Sequence, residues 1–231
     1  MSVLTTEISV IPVDIDGFQI SIDEGTTILQ AAERYGIHIP TVCYLEGLSP
    51  YGGCRICSVE VSTDDGKTFK VAASCNYEIH RPLVVRTDTP KIRRIRKMLA
   101  ELLVASAPNV KLAQDIAARF GINRVRFEME DNRCILCGLC VRMCHEHMGG
   151  KALEFAGRGV TKRVSAPFSI RSEICLNCGG CDSICPGKII PCQGVKIPGE
   201  LCGKCLRLEE MPFCCPMGTF GCFCERNPLD Q

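Results

Sequence analysis

The sequence predicts an α+β protein assembled from several small modules, and three observations predict it. Alternating apolar and polar runs with turn signals extend from Ile8 to Val85. Helical periodicity then fills residues 87–126, and one cysteine spacing occurs twice between Cys134 and Cys185. At 231 residues the chain has room for one or two ordinary domains, yet its 19 cysteines point to metal-stapled modules in place of one large apolar core.

In order, Ile8–Ile15 reads as a strand and Asp16-Gly17 as a two-residue hairpin turn. Phe18, Ile20 and Ile22 then alternate with Gln19 and Ser21 as in a half-buried strand. Thr27 and Gln30 form a capping box opening a short helix with Ile28, Ala32 and Tyr35 on one face, and Gly36 is placed to end it. Cys57, Val59 and Val61 alternate with Ser58, Glu60 and Ser62. Asp64-Asp65-Gly66 turns the chain toward Phe69–Ala73, and Pro82–Val85 is a last extended piece. This pattern predicts a β-grasp domain over residues 1–86. Cys43, Cys54, Cys57 and Cys75 are set into it, three after the helix and the fourth at a later strand end. That is the plan of a plant-type 2Fe–2S ferredoxin, with ten residues between the first two cysteines, a longer gap than the plant type has. Gly52-Gly53 precedes Cys54, where a backbone lacking Cβ brings N–H groups close to a cluster sulfur.

The two later motifs read Cys134-Ile-Leu-Cys137-Gly-Leu-Cys140-Val-Arg-Met-Cys144 and Cys175-Leu-Asn-Cys178-Gly-Gly-Cys181-Asp-Ser-Ile-Cys185-Pro186. Both have the spacing of a 4Fe–4S ferredoxin, in which the fourth cysteine of each run ligates the other cluster. The expected sets are therefore Cys134, Cys137, Cys140 and Cys185 for one 4Fe–4S cluster, and Cys175, Cys178, Cys181 and Cys144 for the other. Two zinc sites are the competing reading, since clustered cysteines also bind zinc. This double 4Fe–4S ferredoxin-like domain is expected over 127–190. Between the motifs, Ala152–Phe155 and Val160–Val164 predict a hairpin, and His145 and His147 are expected as exposed polar residues.

The run Gly36-Ile-His-Ile-Pro-Thr-Val-Cys43-Tyr44 with Cys54-Arg-Ile-Cys57-Ser-Val-Glu-Val61 resembles the N-terminal domain of the large peripheral iron–sulfur subunit of respiratory complex I. It is similar also to the iron–sulfur diaphorase subunits of NAD(P)-linked hydrogenases and to some formate dehydrogenases. Module order extends the likeness over about residues 1–190. The resemblance implies an electron-relay subunit of a multisubunit NAD(P)-linked oxidoreductase, foremost a bidirectional or electron-bifurcating hydrogenase. Its implied partners are a flavin- and NAD(P)-binding subunit, a thioredoxin-like 2Fe–2S subunit, a hydrogenase or other catalytic subunit, and ferredoxin. A formate dehydrogenase relay subunit and a free-standing multi-cluster carrier are the alternatives.

Residues 87–126 depart from that family. Complex I relatives hold an additional 4Fe–4S cluster here on one His and three Cys, whereas no Cys lies between Cys75 and Cys134, so that cluster is not expected. His80 reads as a surface residue. Thr89-Pro90 opens a helix to about Ala105 with Ile92, Ile95, Leu99 and Leu102 on one face and Lys91, Arg93, Arg94, Arg96 and Lys97 opposite. The basic face is either solvated or a dock for an acidic partner surface. A second helix is expected over Lys111–Phe120, stopping at Gly121.

The tail, residues 191–231, carries seven further cysteines and no long apolar periodicity, so it needs a staple. Cys192, Cys202, Cys205 and Cys215 are the expected ligands of a further iron–sulfur cluster or zinc, with Cys214, Cys222 and Cys224 as alternates. A net charge of +1 with no block of one sign gives no compositional support for binding nucleic acid or a membrane surface. Met1–Glu7 has no signal-peptide pattern, and the longest apolar stretch, Met98–Ala107, is too short to span a bilayer. A cytoplasmic protein is expected, its thiols kept for metal ligation. No dinucleotide fingerprint, P-loop or catalytic triad is present, so no catalytic residue is assigned.

Overall fold

The computed structural model describes residues 10–130, 132–169, 172–176 and 178–188. The chain divides into two compact units. Among the described residues, the first is built from the segment ending at Tyr44 with Pro50–Ala105 and Ala113–Met129; the second takes Leu45–Ser49, Ser106–Leu112 and the residues from Glu130 to Lys188.

In the first unit, β1 (Val10–Ile15) turns at Asp16-Gly17 into β2 (Phe18–Asp23). Both turn residues have positive φ, 53° and 89°, the mirror-image turn that matches strand twist. Thr27 caps α1 (Ile28–Arg34): its Oγ1 accepts from Gln30 N while Gln30 Oε1 accepts from Thr27 N, at 3.2 and 3.1 Å. At the far end, Gly36 N donates to Glu33 O and Ile37 N to Ala32 O, with Gly36 at φ 73°. Then come β3 (Ser58–Ser62), β4 (Lys70–Ala73), a 3-10 turn over Ser74–Asn76, and β5 (Leu83–Arg86). The sheet order is β2-β1-β5-β3-β4, antiparallel except for the parallel β1–β5 pair. Val13, Ile15, Ile28, Leu29, Val59, Ile79 and Val85 form its core, each at most 1% exposed.

Two helices complete this unit. In α2 (Pro90–Ser106), Thr89 Oγ1 accepts from Ile92 N and donates to Glu60. The buried residues are Ile92, Arg96, Ala100, Glu101, Val104 and Ala105, a stripe rotated from the expected one, and Leu102 is exposed. Arg96 is 5% exposed, so it does not belong to the basic surface: its guanidinium donates to Ile56 O and Ser58 O at 3.1 and 2.8 Å. β3 is buried at every position, where sequence alternation predicts one wet face; Glu60 there accepts from Thr89 at the start of α2. The next helix, α3 (Lys111–Arg119), closes at Gly121, φ 64°, with Ile122 N donating to Ala117 O.

Among its described residues the second unit has little regular structure. A hairpin of β6 (Glu154–Ala156) and β7 (Arg163–Ser165) is its only sheet among the described residues. Two four-residue helices, α4 (Leu139–Arg142) and α5 (Gly180–Ser183), each follow a left-handed glycine, Gly138 at φ 68° and Gly179 at φ 71°. A π-helical turn, Met143–His147, continues α4. Onto it folds Leu45–Ser49: Ser49 N donates to Glu146 at 2.8 Å, His147 Nε2 to Gly47 O at 2.7 Å, and Arg142 Nη1 to Ser49 O at 2.6 Å.

Candidate iron–sulfur centres

The first unit gathers Cys43, Cys54, Cys57 and Cys75. Cys54 is hydrogen-bonded to Cys43, Cys57 to Cys75, and Cys43 acts electrostatically on both Cys57 and Cys75. Their supports differ: Cys43 and Cys54 sit on the long loop, Cys57 just before β3, and Cys75 in the 3-10 turn after β4. Cys43, Cys57 and Cys75 are at most 2% exposed. The loop needs its glycines, since a Cβ at Gly52, φ 65°, would lie 2.7 Å from Asn76 Nδ2, and one at Gly53 would lie 2.2 Å from the Tyr51 ring.

The bond from Cys75 draws the Cys57 thiol down to about 6, with smaller help from Ser74. Cys75 moves up, first through that same bond and then through burial. Cys54 is likewise raised, first by its bond with Cys43, while Ile56 N–H opposes the rise. Ser74, which sequence reasoning passed over, is fully buried; its hydroxyl approaches the Cys57 sulfur without closing a regular hydrogen bond. Its backbone N–H donates to Cys57 O at 3.2 Å, which holds the residue against that cysteine.

In the second unit, Cys140 is influenced by Cys137, Cys185 and Cys134, and less by Cys181. Those four line one small cavity with Ile135, Gly138, Val164 and Pro186. Cys181 is influenced by Cys178, Cys144 and Cys175. Each run therefore sends its last cysteine to the other run's group. The local geometry repeats: the left-handed glycine after the second cysteine starts a short helix that carries the third, Cys140 on α4 and Cys181 on α5. Burial pushes both thiols up to about 12. Ala152 N donates to Cys144 Sγ at 3.3 Å, and Gly150 lies so close that a Cβ would be 3.4 Å from that sulfur.

His80, His145 and His147 make other contacts. His80 is exposed between Glu24 and Glu78 at 3.3 Å from each. His145 is half-buried and contacts Leu153 O and Glu154, and His147 contacts Gly47 O. Among the described residues, no three His, Cys, Asp or Glu side chains are placed to hold a metal ion. The donor sets fit a polynuclear group better: iron atoms spread around a cube or rhomb take one or two thiols each from a set of four. The cavity bounded by Cys134, Cys137, Cys140 and Cys185 and the unsatisfied Ser74 hydroxyl beside Cys57 agree with that fit. Cys192, Cys202, Cys205 and Cys215, with their alternates, lie outside the described residues.

The helical segment adds a groove of about 860 Å³, lined by Arg94, Lys97, Met98, Glu101 and Gly121–Arg126. Glu101, only 3% exposed, is clamped by Arg126, whose backbone N and Nη2 donate to it at 2.7 and 2.6 Å. These bonds hold its carboxyl down at about 2. Sequence periodicity gave no sign of this pair.

Fold and cysteines together define an iron–sulfur protein with a 2Fe–2S domain followed by a 4Fe–4S dicluster domain. Residues 9–90 match the 2Fe-2S iron-sulfur cluster binding domain and residues 133–189 the 4Fe-4S dicluster domain. The chain is homologous to subunits of NAD(P)-linked hydrogenases and of complex I. It is 30% identical over 236 residues to NADPH-Fe(3+) oxidoreductase subunit alpha of Geobacter sulfurreducens, covering 91% of this chain and 27% of that protein. It is 31% identical over 210 residues to NADP-reducing hydrogenase subunit HndD of Solidesulfovibrio fructosivorans, covering 77% of this chain and 35% of the relative. A chain of the NAD+-reducing [NiFe]-hydrogenase crystal structure in the H2-reduced state superposes with a TM-score of 0.60 at 29% identity, over 68% of this chain and 74% of that one. The chain thus spans about a quarter to a third of the length of these curated relatives. Among the described residues no helix is long and apolar enough to cross a membrane.

Proposed function

We propose that this chain is an electron-relay subunit of a multisubunit NAD(P)-linked oxidoreductase of hydrogenase type. Single electrons would pass between a flavin- and NAD(P)-binding partner and a second catalytic subunit. The observation that carries this reading is the gathering of twelve cysteines into three groups of four, within two matched cluster-binding domains. In this reading the first unit is a β-grasp, a view supported by its parallel β1–β5 pair and the sheet order.

Cys43, Cys54, Cys57 and Cys75 hold the 2Fe–2S cluster. Cys134, Cys137, Cys140 and Cys185 hold one 4Fe–4S cluster, and Cys175, Cys178, Cys181 and Cys144 the other. Bound clusters supply one-electron chemistry, and the protein tunes it through burial and N–H donors to sulfur. Ile56 N–H at Cys54 and Ala152 N–H at Cys144 are such donors. The tail cysteines, Cys192, Cys202, Cys205 and Cys215 first among them, hold a further iron–sulfur cluster or zinc. The relatives' printed names support NAD(P)-linked partners, with a cytoplasmic setting, a thioredoxin-like 2Fe–2S subunit and bifurcation with ferredoxin as finer parts of the same proposal. The exposed cations of the α2 groove, Arg94 and Lys97, suit an acidic partner surface.

Anaerobic purification from the native cell tests the reading. A flavoprotein that co-purifies in fixed stoichiometry, and through which NAD(P)H bleaches the clusters of this chain, is the expected result. A chain that elutes alone and carries electrons by itself would make it a free carrier and overturn the relay proposal.

A further inference from the structure

We infer that Ser74 is a positioning and tuning residue of the 2Fe–2S centre, donating its hydroxyl hydrogen to a sulfur of the bound cluster or to the Cys57 thiolate. The inference rests on the proposal that Cys43, Cys54, Cys57 and Cys75 hold that cluster. A buried hydroxyl without a partner is uncommon, because losing water without a replacement bond is unfavourable by about 1–3 kcal/mol. Ser74 has no exposed surface, and its Oγ closes no regular hydrogen bond.

The backbone explains where this hydroxyl sits. Ser74 opens the 3-10 turn that carries Cys75, and its own N–H is committed to Cys57 O. The residue is therefore fixed between two of the four cysteines, next to one in sequence and bonded to the other. Its hydroxyl also stands beside the Cys57 sulfur, within reach of turning its hydrogen toward it. An alanine would fill the same space without a donor. A hydroxyl aimed at sulfur stabilises the more negative, reduced state of a cluster and so raises its reduction potential.

The test is a redox titration of the full anaerobic protein, followed by the electron paramagnetic resonance signal of the reduced 2Fe–2S centre, in wild type, Ser74→Ala and Ser74→Thr. Ser74→Ala is expected to shift the 2Fe–2S midpoint to a more negative potential while both 4Fe–4S midpoints stay in place. Ser74→Thr, which keeps the hydroxyl, is expected to retain the wild-type value. In heavy water, electron–nuclear double resonance should show a strongly coupled exchangeable deuteron in wild type and Ser74→Thr that disappears in Ser74→Ala. An unmoved midpoint with the deuteron coupling intact in Ser74→Ala overturns this inference alone. Absence of any 2Fe–2S signal in the wild-type protein overturns the cluster assignment as well. Should Ser74→Ala fail to assemble the cluster, Ser74→Gly and the deuteron coupling of the wild-type protein decide the question.

Discussion

The two units of this chain reach a stable structure by different means. The first has a five-stranded mixed sheet, three helices and a core of Ile, Leu and Val side chains removed from water. Among its described residues the second has one short hairpin and helices of a single turn, and its buried apolar residues include Leu139, Val141, Met143 and Ala152. Cys137, Cys140 and Cys185 are buried there as well, and burial raises the thiols of Cys140 and Cys181. Small domains with little core depend on a staple. On the described residues, the contrast implies that a bound cluster would add to a standing fold in the first unit and would staple the second.

Removing iron breaks the comparison most directly. Anaerobic chelation should leave amides of β1, β2, β3 and β5 protected from hydrogen exchange, while residues 132–188 lose protection by orders of magnitude. Equal loss in both units would show that the first also depends on its cluster. Replacing one ligand is the next largest effect: Cys54→Ala should abolish the 2Fe–2S spectroscopic signal and leave both 4Fe–4S signals. Survival of the 2Fe–2S signal would remove Cys54 from the ligand set.

Within the first unit, Arg96→Ala strips the donors from Ile56 O and Ser58 O. A loss of about 3 kcal/mol in denaturant unfolding is expected, because two buried carbonyls lose partners and a packed side chain is removed. A loss below about 0.5 kcal/mol would place that guanidinium in solvent.

The Glu101–Arg126 pair gives the smallest effect and a pH signature. The Glu101 carboxyl is held at about 2, below its ordinary 4.5. A depressed carboxyl contributes stability that is fully present above its unfolded value and is lost as pH falls through its folded value. The contribution should therefore fade between about pH 4.5 and pH 2, and Glu101→Gln should flatten that part of a Tm-against-pH curve. An unchanged acid limb in the variant would contradict the pairing.

Local chemistry was the legible part of the sequence. The Asp16-Gly17 turn, the Thr27–Gln30 box, the stops at Gly36 and Gly121 and the Pro90 helix start are each set by neighbours a few residues away. Tertiary contacts were illegible. Arg96 reads as one more cation on a basic face, and only the backbone carbonyls of Ile56 and Ser58, some forty residues earlier, draw it inward. Leu102 reads as core and is exposed because Ala100 and Ala105 let the helix approach on another side. Ser74 bears no periodicity or spacing signal at all. The cysteine groups were readable because ligand spacing is itself a local rule, whereas the hydroxyl beside them was not.

The central claim, that sulfur from this chain cages iron in three places before the tail is counted, is met most directly by chemical analysis. Protein purified under strict exclusion of oxygen should contain about ten iron atoms per chain or more, with matching acid-labile sulfide. About six or fewer, or a colourless, folded and active preparation, would contradict it.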